Sequence, residues 1–340
     1  MDQVYAPPRS CRWPAVGLAL GLLLGLAGPA RAVDLIDRPA PLPQPVKLII
    51  GEAKVAHLAP LLLMDDDLKA MNVELAQVEF VRYADARTAL AAGSLDLATV
   101  GPADLPISLS QGITSMVALM GVGGSPKYVV VRDGVTMDKW QDLSGKKVAI
   151  APASAVWFQF VSTLQEQGVA YNSLSIVNIQ GAGSNFDQAL KRGDVDAIIT
   201  WEPFESTPIV EGYGYWAKNL DYSKSKAVGA ELGMIAASKT AVTDKREAVR
   251  RFIWAYIKAQ NSLAASKPKF TDAIGRFTGI SPEISSRIAD TIQLGAVLSL
   301  DQLKRQAEAF HDLGVIQTDV SGELDKYYAG DLVDTVIKKN

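Results

Sequence analysis

The sequence predicts an α/β fold made of two similar lobes in one chain, and three observations carry that expectation. Short apolar runs alternate with helical stretches from residue 46 to residue 200, and several of the runs are apolar on both faces, as buried parallel strands are. A ten-residue pattern recurs one hundred residues further on, Ala89 to Ala98 (ALAAGSLDLA) against Ala189 to Ile198 (ALKRGDVDAI), with Ala, Leu, Gly and Asp shared at four positions. Beyond residue 230 the chain turns to long amphipathic helices with little strand, as if an outer layer were being added.

The N-terminus reads as an export signal. Arg9 and Arg12 precede the apolar run Ala15 to Ala27, which is too short for the roughly 20 residues that span hydrocarbon. Gly28-Pro29 then leads into Ala30-Arg31-Ala32, a small-x-small cleavage pattern, so residues 1–32 are expected to be a cleaved signal peptide and the protein periplasmic. Cys11 is the only cysteine and lies within that leader. Disulfides, thiolate catalysis and cysteine-based zinc sites are thereby excluded from the mature chain. Asp34 to Pro45 (DLIDRPAPLPQP) is expected to be an extended strap at 33–45, outside the core.

The remaining elements follow in order. Strands are expected at Val46–Gly51, Val78–Arg82, Leu95–Val100, Tyr128–Val131, Lys147–Ala151, Ser175–Ile179 and Val195–Thr200, and a returning strand at Glu231–Ser238. Each copy of the repeated pattern is a helix end stopped by Gly, a turn, and a buried strand running into a Pro-containing turn. Thr243 is placed to cap a helix with Val249, Phe252, Ile253, Tyr256, Ile257 and Leu263 on one face. Ser281-Pro282-Glu283 starts another helix, and Ser299 with Gln302 makes a capping box for a third.

Composition narrows function. The 340 residues hold 34 Lys+Arg against 37 Asp+Glu, 48% apolar and 21% charged residues, which suits two compact bodies with real cores. With a net charge of −3 and no Lys/Arg-rich run, the chain has no footprint for nucleic acid. It carries no GxSxG elbow, no Walker A sequence and no HExxH, and the GAGSN loop lacks the third Gly of a dinucleotide fingerprint. No catalytic residue, metal or cofactor is expected.

In an open α/β sheet, ligands sit beyond the C-terminal ends of the strands, where loops and helix N-termini meet. Six strand ends qualify. In the first half they hold Gly51, Lys54 and His57, then Tyr83 and Asp85, then Gly101, Pro102, Ala103 and Asp104. In the second half they hold Ser154, Ala155, Val156 and Trp157, then Gly183 and Asn185, then Trp201, Glu202 and Phe204. Small helix-initiating residues leave backbone N–H groups free for an anion, and the aromatic rings offer walls. Several of these residues keep two readings. Trp157 opens an apolar helical run and suits packing as well as ligand contact. His57 suits a surface or capping role as well as a site, and with His311 far along the chain no zinc pair is formed. Glu202 suits a cap of its own helix or a partner for a cationic ligand group.

These residues carry a resemblance. ALAAGSLDLATVGPAD, DLSGKKVAIAPAS and ALKRGDVDAIITWEPF, at residues 89–104, 142–154 and 189–204, resemble the periplasmic substrate-binding proteins of ABC importers in the nitrate, sulfonate and taurine group, related also to thiamine-precursor binders. The similarity runs over most of Val46 to Lys339. It implies a type II periplasmic-binding fold, with lobe one at 46–133 plus 231–340, lobe two at 134–230, and two crossover strands as the hinge. It also implies a monomer that closes on a small-molecule ligand and delivers it to a permease and its ATPase in the inner membrane. The family's cleft loops fall on the six strand ends, with Glu202 where Asp is frequent in its Trp-acid-Pro element. No arginine clamp is evident in those loops, and Asp85, Asp104 and Glu202 lie among them. A taurine-like zwitterion is the leading expectation, its sulfonate on helix N-termini and its amine near Glu202. Two other classes share the fold: fungal thiamine-pyrimidine synthases, which rely on cysteine-rich positions absent here, and ligand sensors.

Overall fold

The computed structural model describes residues 33–152 and 154–338, so the expected leader and Cys11 lie outside the described residues. The chain runs through β1 (Val46–Glu52), α1 (Asp65–Ala70), β2 (Val73–Glu79), α2 (Tyr83–Ala91), β3 (Leu97–Val100), α3 (Asp104–Ser110) and β4 (Met116–Gly121). It continues through β5 (Tyr128–Arg132), β6 (Lys147–Ile150), α4 (Ala155–Glu166), β7 (Ser175–Asn178), α5 (Ser184–Arg192), β8 (Ala197–Ile198), α6 (Thr207–Val210) and β9 (Gly214–Asp221). It returns through β10 (Met234–Ser238) to α7 (Lys239–Asp244), α8 (Arg246–Ala264), α9 (Lys267–Thr278), α10 (Pro282–Ala289), α11 (Leu300–Asp312) and α12 (Asp331–Asp334).

Two five-stranded sheets result, in the orders β2-β1-β3-β10-β4 and β7-β6-β8-β5-β9. The orders are the same once the repeat is recognised. Each sheet has one antiparallel strand, and it is the one that arrives from the other half of the chain: β10 in the first sheet and β5 in the second. The repeated pattern has a physical cause. Asp96 and Asp196 sit just before β3 and β8 and accept the backbone N–H of Ile49 and Lys147, equivalent positions on β1 and β6, at 2.9 and 3.0 Å. Each carboxylate also holds a cation from the crossing side, Lys245 at 2.8 Å and Arg132 at 3.3 Å. Gly93 and Gly193 take φ of 79° and 77° one turn earlier, a conformation that side chains with a Cβ resist.

Apolar layers cover both faces of each sheet. Leu48 and Ile50 of β1 pack under Phe252, Tyr256 and Phe270 of α8 and α9, while Ala98 and Val100 of β3 face Leu90 of α2 and Phe310 of α11. In the second lobe Val129 and Val148 meet Phe160 and Tyr222 on one side, and Val130 and Ala149 meet Phe186 and Leu190 on the other. The segment 33–45 lies along α8: Asn261 bonds the backbone of Val33, Trp254 Nε1 donates to Ile36 O at 2.9 Å, and Arg251 donates to Ala40 O.

The structure departs from the sequence reading in several places. β2 runs over Val73–Glu79, earlier than the expected Val78–Arg82, because its VELAQVE mixes polarity on a largely exposed edge. β4 and β9 were not foreseen. MVALMG is wholly buried but poor in β-branched residues, and GYWAKNLD breaks any strict alternation. β5 hydrogen-bonds into the second sheet, so that sheet begins before the boundary expected at Asp133. Thr243 lies inside α7, which Ser238 caps, and donates back to Lys239 O. Ser281 and Ser299 cap α10 and α11, yet the Gln302 side chain reaches across to Ala227 O instead of closing a box.

The two crossover segments run side by side. Gly124 bridges Glu231 in antiparallel fashion, Ser125 N donates to Ala230 O, and Leu232 N donates to Gly123 O. Side chains of both lobes clasp the second crossover: Gln159 of α4 donates to Gly229 O and Glu231 O, and Gln306 of α11 to Val228 O and Glu231 Oε2.

Candidate functional site

The first turns of three helices converge on Gly101. A Cβ built there would lie 3.2 Å from Ala155 Cβ of α4, 3.3 Å from Asp104 Oδ2 of α3 and 3.8 Å from Tyr83 Cδ2 of α2. Ala155 belongs to the second lobe and the other two to the first, so the loops after β3 and β6 meet across the gap between the lobes. Ser154 caps α4, its hydroxyl accepting from Trp157 N at 3.2 Å, which leaves the N–H groups of Ala155 and Val156 without partners inside the helix. Gly233, on the second crossover, is equally tight against Tyr83: a Cβ there would lie 3.2 Å from its ring and 3.5 Å from its hydroxyl.

Tyr83 sits at the middle of this arrangement. Its hydroxyl is 2.6 Å from His57 Nε2. His57 is 5% exposed, so it is neither a surface nor a capping residue, and burial, aided by the ammonium of Lys127, holds its pKa down at about 3. A neutral imidazole and a phenol pushed well above its usual pKa by burial make an uncharged pair able to donate to an anion.

The charged groups near the gap are mutually neutralised. Asp104 accepts Arg87 Nη1 at 2.7 Å and Gly101 N at 2.6 Å, so it closes its own turn. Burial nevertheless pushes its carboxyl up, against the pull of Arg87. Asp85 pairs with Arg82 at 2.8 Å toward solvent. Lys54 pairs with Glu52 at 2.6 Å and lies over the Phe277 ring. Glu202 spends both oxygens on Ser206, accepting its N–H at 3.0 Å and its hydroxyl at 2.8 Å. The carboxylate thereby closes the turn from Trp201 to Ser206 and is not the cap of α6, whose N-cap is Ser206. Burial, with Glu205 close by, pushes the Glu202 carboxyl up from its ordinary value.

The other expected residues divide between packing and walls. Gly51 exists for packing: a Cβ there would come within 2.6 Å of Leu95 Cδ1 and 3.0 Å of the Phe80 ring. Pro102 and Ala103 are buried in the turn into α3. Trp157 ties itself to its own lobe through Nε1 to Tyr171 at 3.2 Å, while its ring also meets the first-lobe core. The next residue, Phe158, stacks on Phe310 of α11 at 4.4 Å between centroids. Trp201, half-buried, packs against core residues of both lobes and edge-on to Phe186 and Phe204. Asn185 is exposed, beside the 180–183 loop. Gly183 leaves room for the Phe204 ring, which a Cβ would overlap. Gly183→Ala is therefore expected to cost about 1–3 kcal/mol, measured by urea unfolding, and Phe204→Leu in the same chain to recover most of it. A neutral Gly183→Ala would remove that packing argument.

The sequence reading missed the buried ion pair of Lys127 and Glu205, with Tyr222 OH donating to Glu205 Oε1 at 3.4 Å. Its only signal was two charged residues inside otherwise apolar stretches. It also missed Glu52 and Tyr256, whose Oε2 and hydroxyl are buried without a hydrogen-bond partner.

Comparison with known proteins places this architecture. A stretch of 117 residues is 30% identical to the taurine-binding periplasmic protein of Escherichia coli strain K12, covering 34% of this chain and only 35% of that protein's length. The alkanesulfonate-binding protein of Xanthomonas axonopodis pv. citri, solved bound to MOPS, superposes with a TM-score of 0.71 at 18% identity over 84% of this chain and 99% of that one. The periplasmic aliphatic sulphonate binding protein of Escherichia coli superposes with a TM-score of 0.72 at 16% identity over 86% and 100%. The two-lobed periplasmic-binding fold is thus shared. Residues 68–269, more than half of the chain and including both copies of the internal repeat, match the family described as NMT1/THI5 like, and the chain belongs to that family.

Proposed function

We propose that this chain is the periplasmic solute-binding component of an ABC-type importer. It holds a small organosulfonate between its lobes and delivers it, without turnover, to a permease and its ATPase in the inner membrane. The observation that supports the reading is the meeting of helix starts from both lobes around Gly101, beside the Tyr83–His57 pair, since helix starts carry unpaired backbone N–H groups that favour an anion. A sulfonate is ionised at any physiological pH and suits neutral donors. The relatives whose names specify taurine and sulfonates add support. The amine of taurine finds no free carboxylate at Glu202, so the reading rests on the sulfonate end and takes in taurine and simple alkanesulfonates alike.

The test is thermal shift against taurine, ethanesulfonate, MOPS, nitrate, bicarbonate, aromatic carboxylates and pyrimidines. A ligand at one hundred times its Kd adds about 2.7 kcal/mol of stability, which raises Tm by several degrees. The expected result is a rise with sulfonates and none with pyrimidines. A rise with nitrate or a pyrimidine alone would reassign the solute, and no rise with any compound would sink the binding reading.

A further inference from the structure

One contact between the lobes lies outside the candidate ligand loops. We infer that Arg287 and Trp216 form a closure latch, a cation–π contact between the lobes that sets the fraction of closed molecules and, through it, solute affinity, without touching solute.

Arg287 stands in the last turn of α10, whose Ile284 and Ile288 are part of the first-lobe core. Trp216 stands on β9 opposite Val130, inside the second sheet. The guanidinium lies 4.7 Å from the centre of the Trp216 ring. Arg287 Nε is buried and has no hydrogen-bond partner among the described residues, where a ring face, not a carboxylate, balances this part of the cation. The ring is held ready for it. Trp216 Nε1 donates to Glu205 O at 2.9 Å, and the Tyr128 ring packs beside it at 5.6 Å. The contact thereby joins α10 of the first lobe to the segment that carries Trp201 and Glu202 in the second. α10 also packs against α6, the helix that leads out of that segment.

A contact made only in the closed arrangement shifts the closed fraction by its own strength, and apparent affinity follows that fraction. For an arginine over a partly desolvated tryptophan this corresponds to roughly 2- to 30-fold in Kd. The affinity effect rests on the solute-binding reading, whereas the closure effect does not.

The experiment is solution X-ray scattering of the purified protein without solute, together with calorimetric titration of taurine and ethanesulfonate. It compares wild type, Arg287→Met, Arg287→Lys, Trp216→Leu and the double variant Arg287→Met/Trp216→Leu. Arg287→Met and Trp216→Leu are each expected to raise the radius of gyration and weaken Kd by roughly 2- to 30-fold. Arg287→Lys should fall between wild type and Arg287→Met, and the double variant should be no worse than the worse single. Lowered Tm with unchanged scattering would overturn the latch, as would effects that add fully in the double variant. If no sulfonate binds even the wild type, the scattering series still decides the latch, and only the solute reading fails.

Discussion

Replacing Lys127 with Met is expected to destabilise the protein by about 3–5 kcal/mol, a loss in Tm on the order of 10 °C. Lys127 is 1% exposed and its partner Glu205 3%. Removing the ammonium leaves the Glu205 carboxylate in the interior with neutral donors alone, the Tyr222 hydroxyl at 3.4 Å and the Tyr128 backbone, and beside it a second acid, Glu202, whose carboxyl burial and Glu205 already push up. The double variant Lys127→Met/Glu205→Leu removes both charges and is expected to regain most of the loss, because an apolar pair carries no desolvation penalty. A double variant as unstable as Lys127→Met would show that packing, not charge, is responsible. A second readout is His57. Lys127 is the smaller of the two causes that hold its pKa at about 3, so Lys127→Met should let it titrate higher by NMR while burial still keeps it below 6.5. The pair also matters to the site. Lys127 is where the first crossover enters β5, and Glu205 is part of the segment that bears Trp201, so the bond ties the crossover to that segment.

Much of this architecture is legible in the residues, and where it is not the reason is physical. The repeat at residues 89–98 and 189–198 announces the twofold fold because each Asp must satisfy a specific backbone N–H of a neighbouring strand. Ser281 and Ser299 announce helix starts because a cap is a local interaction. The strand β9 escapes notice because GYWAKNLD acquires its place from pairing with β5, which lies more than eighty residues earlier. The same limit governs the site. Loops can be located from the ends of buried strands, but which acids remain free depends on partners distant in sequence: Arg87 for Asp104, Lys127 for Glu205. Glu202 is the opposite case. Its partner Ser206 is four residues on, within a single turn, yet only the geometry shows both carboxylate oxygens spent on it.

Glu231→Gln is expected to change the pH dependence of stability, by about 3 kcal/mol between pH 4 and pH 8. Glu231 lies on the second crossover where it bridges Gly124, and Gln306 Nε2 donates to its Oε2 at 2.6 Å. Burial raises its pKa from 4.5 to about 7, opposed by the Gln306 hydrogen bond and by Arg305. The raised value fixes the sign. The folded state binds a proton at Glu231 more tightly than the unfolded chain, so the contribution is fully present below about pH 4.5 and is lost as pH rises through 7. A glutamine keeps an acceptor for Gln306 and never ionises. Glu231→Gln should therefore match wild type near pH 4 and exceed it by about 3 kcal/mol at pH 8. Asp187 and Glu202, both raised to about 8, slope in the same direction, so the difference between the two proteins, not either curve alone, is the quantity to measure. Urea unfolding at both pH values supplies it. A gap of the same size at both would mean that Glu231 does not titrate differently in the fold. A gap that opens with pH would place an ionisable group on the crossover, where deprotonation costs stability because the charge is buried, even though the hydrogen bond from Gln306 favours the ionised form.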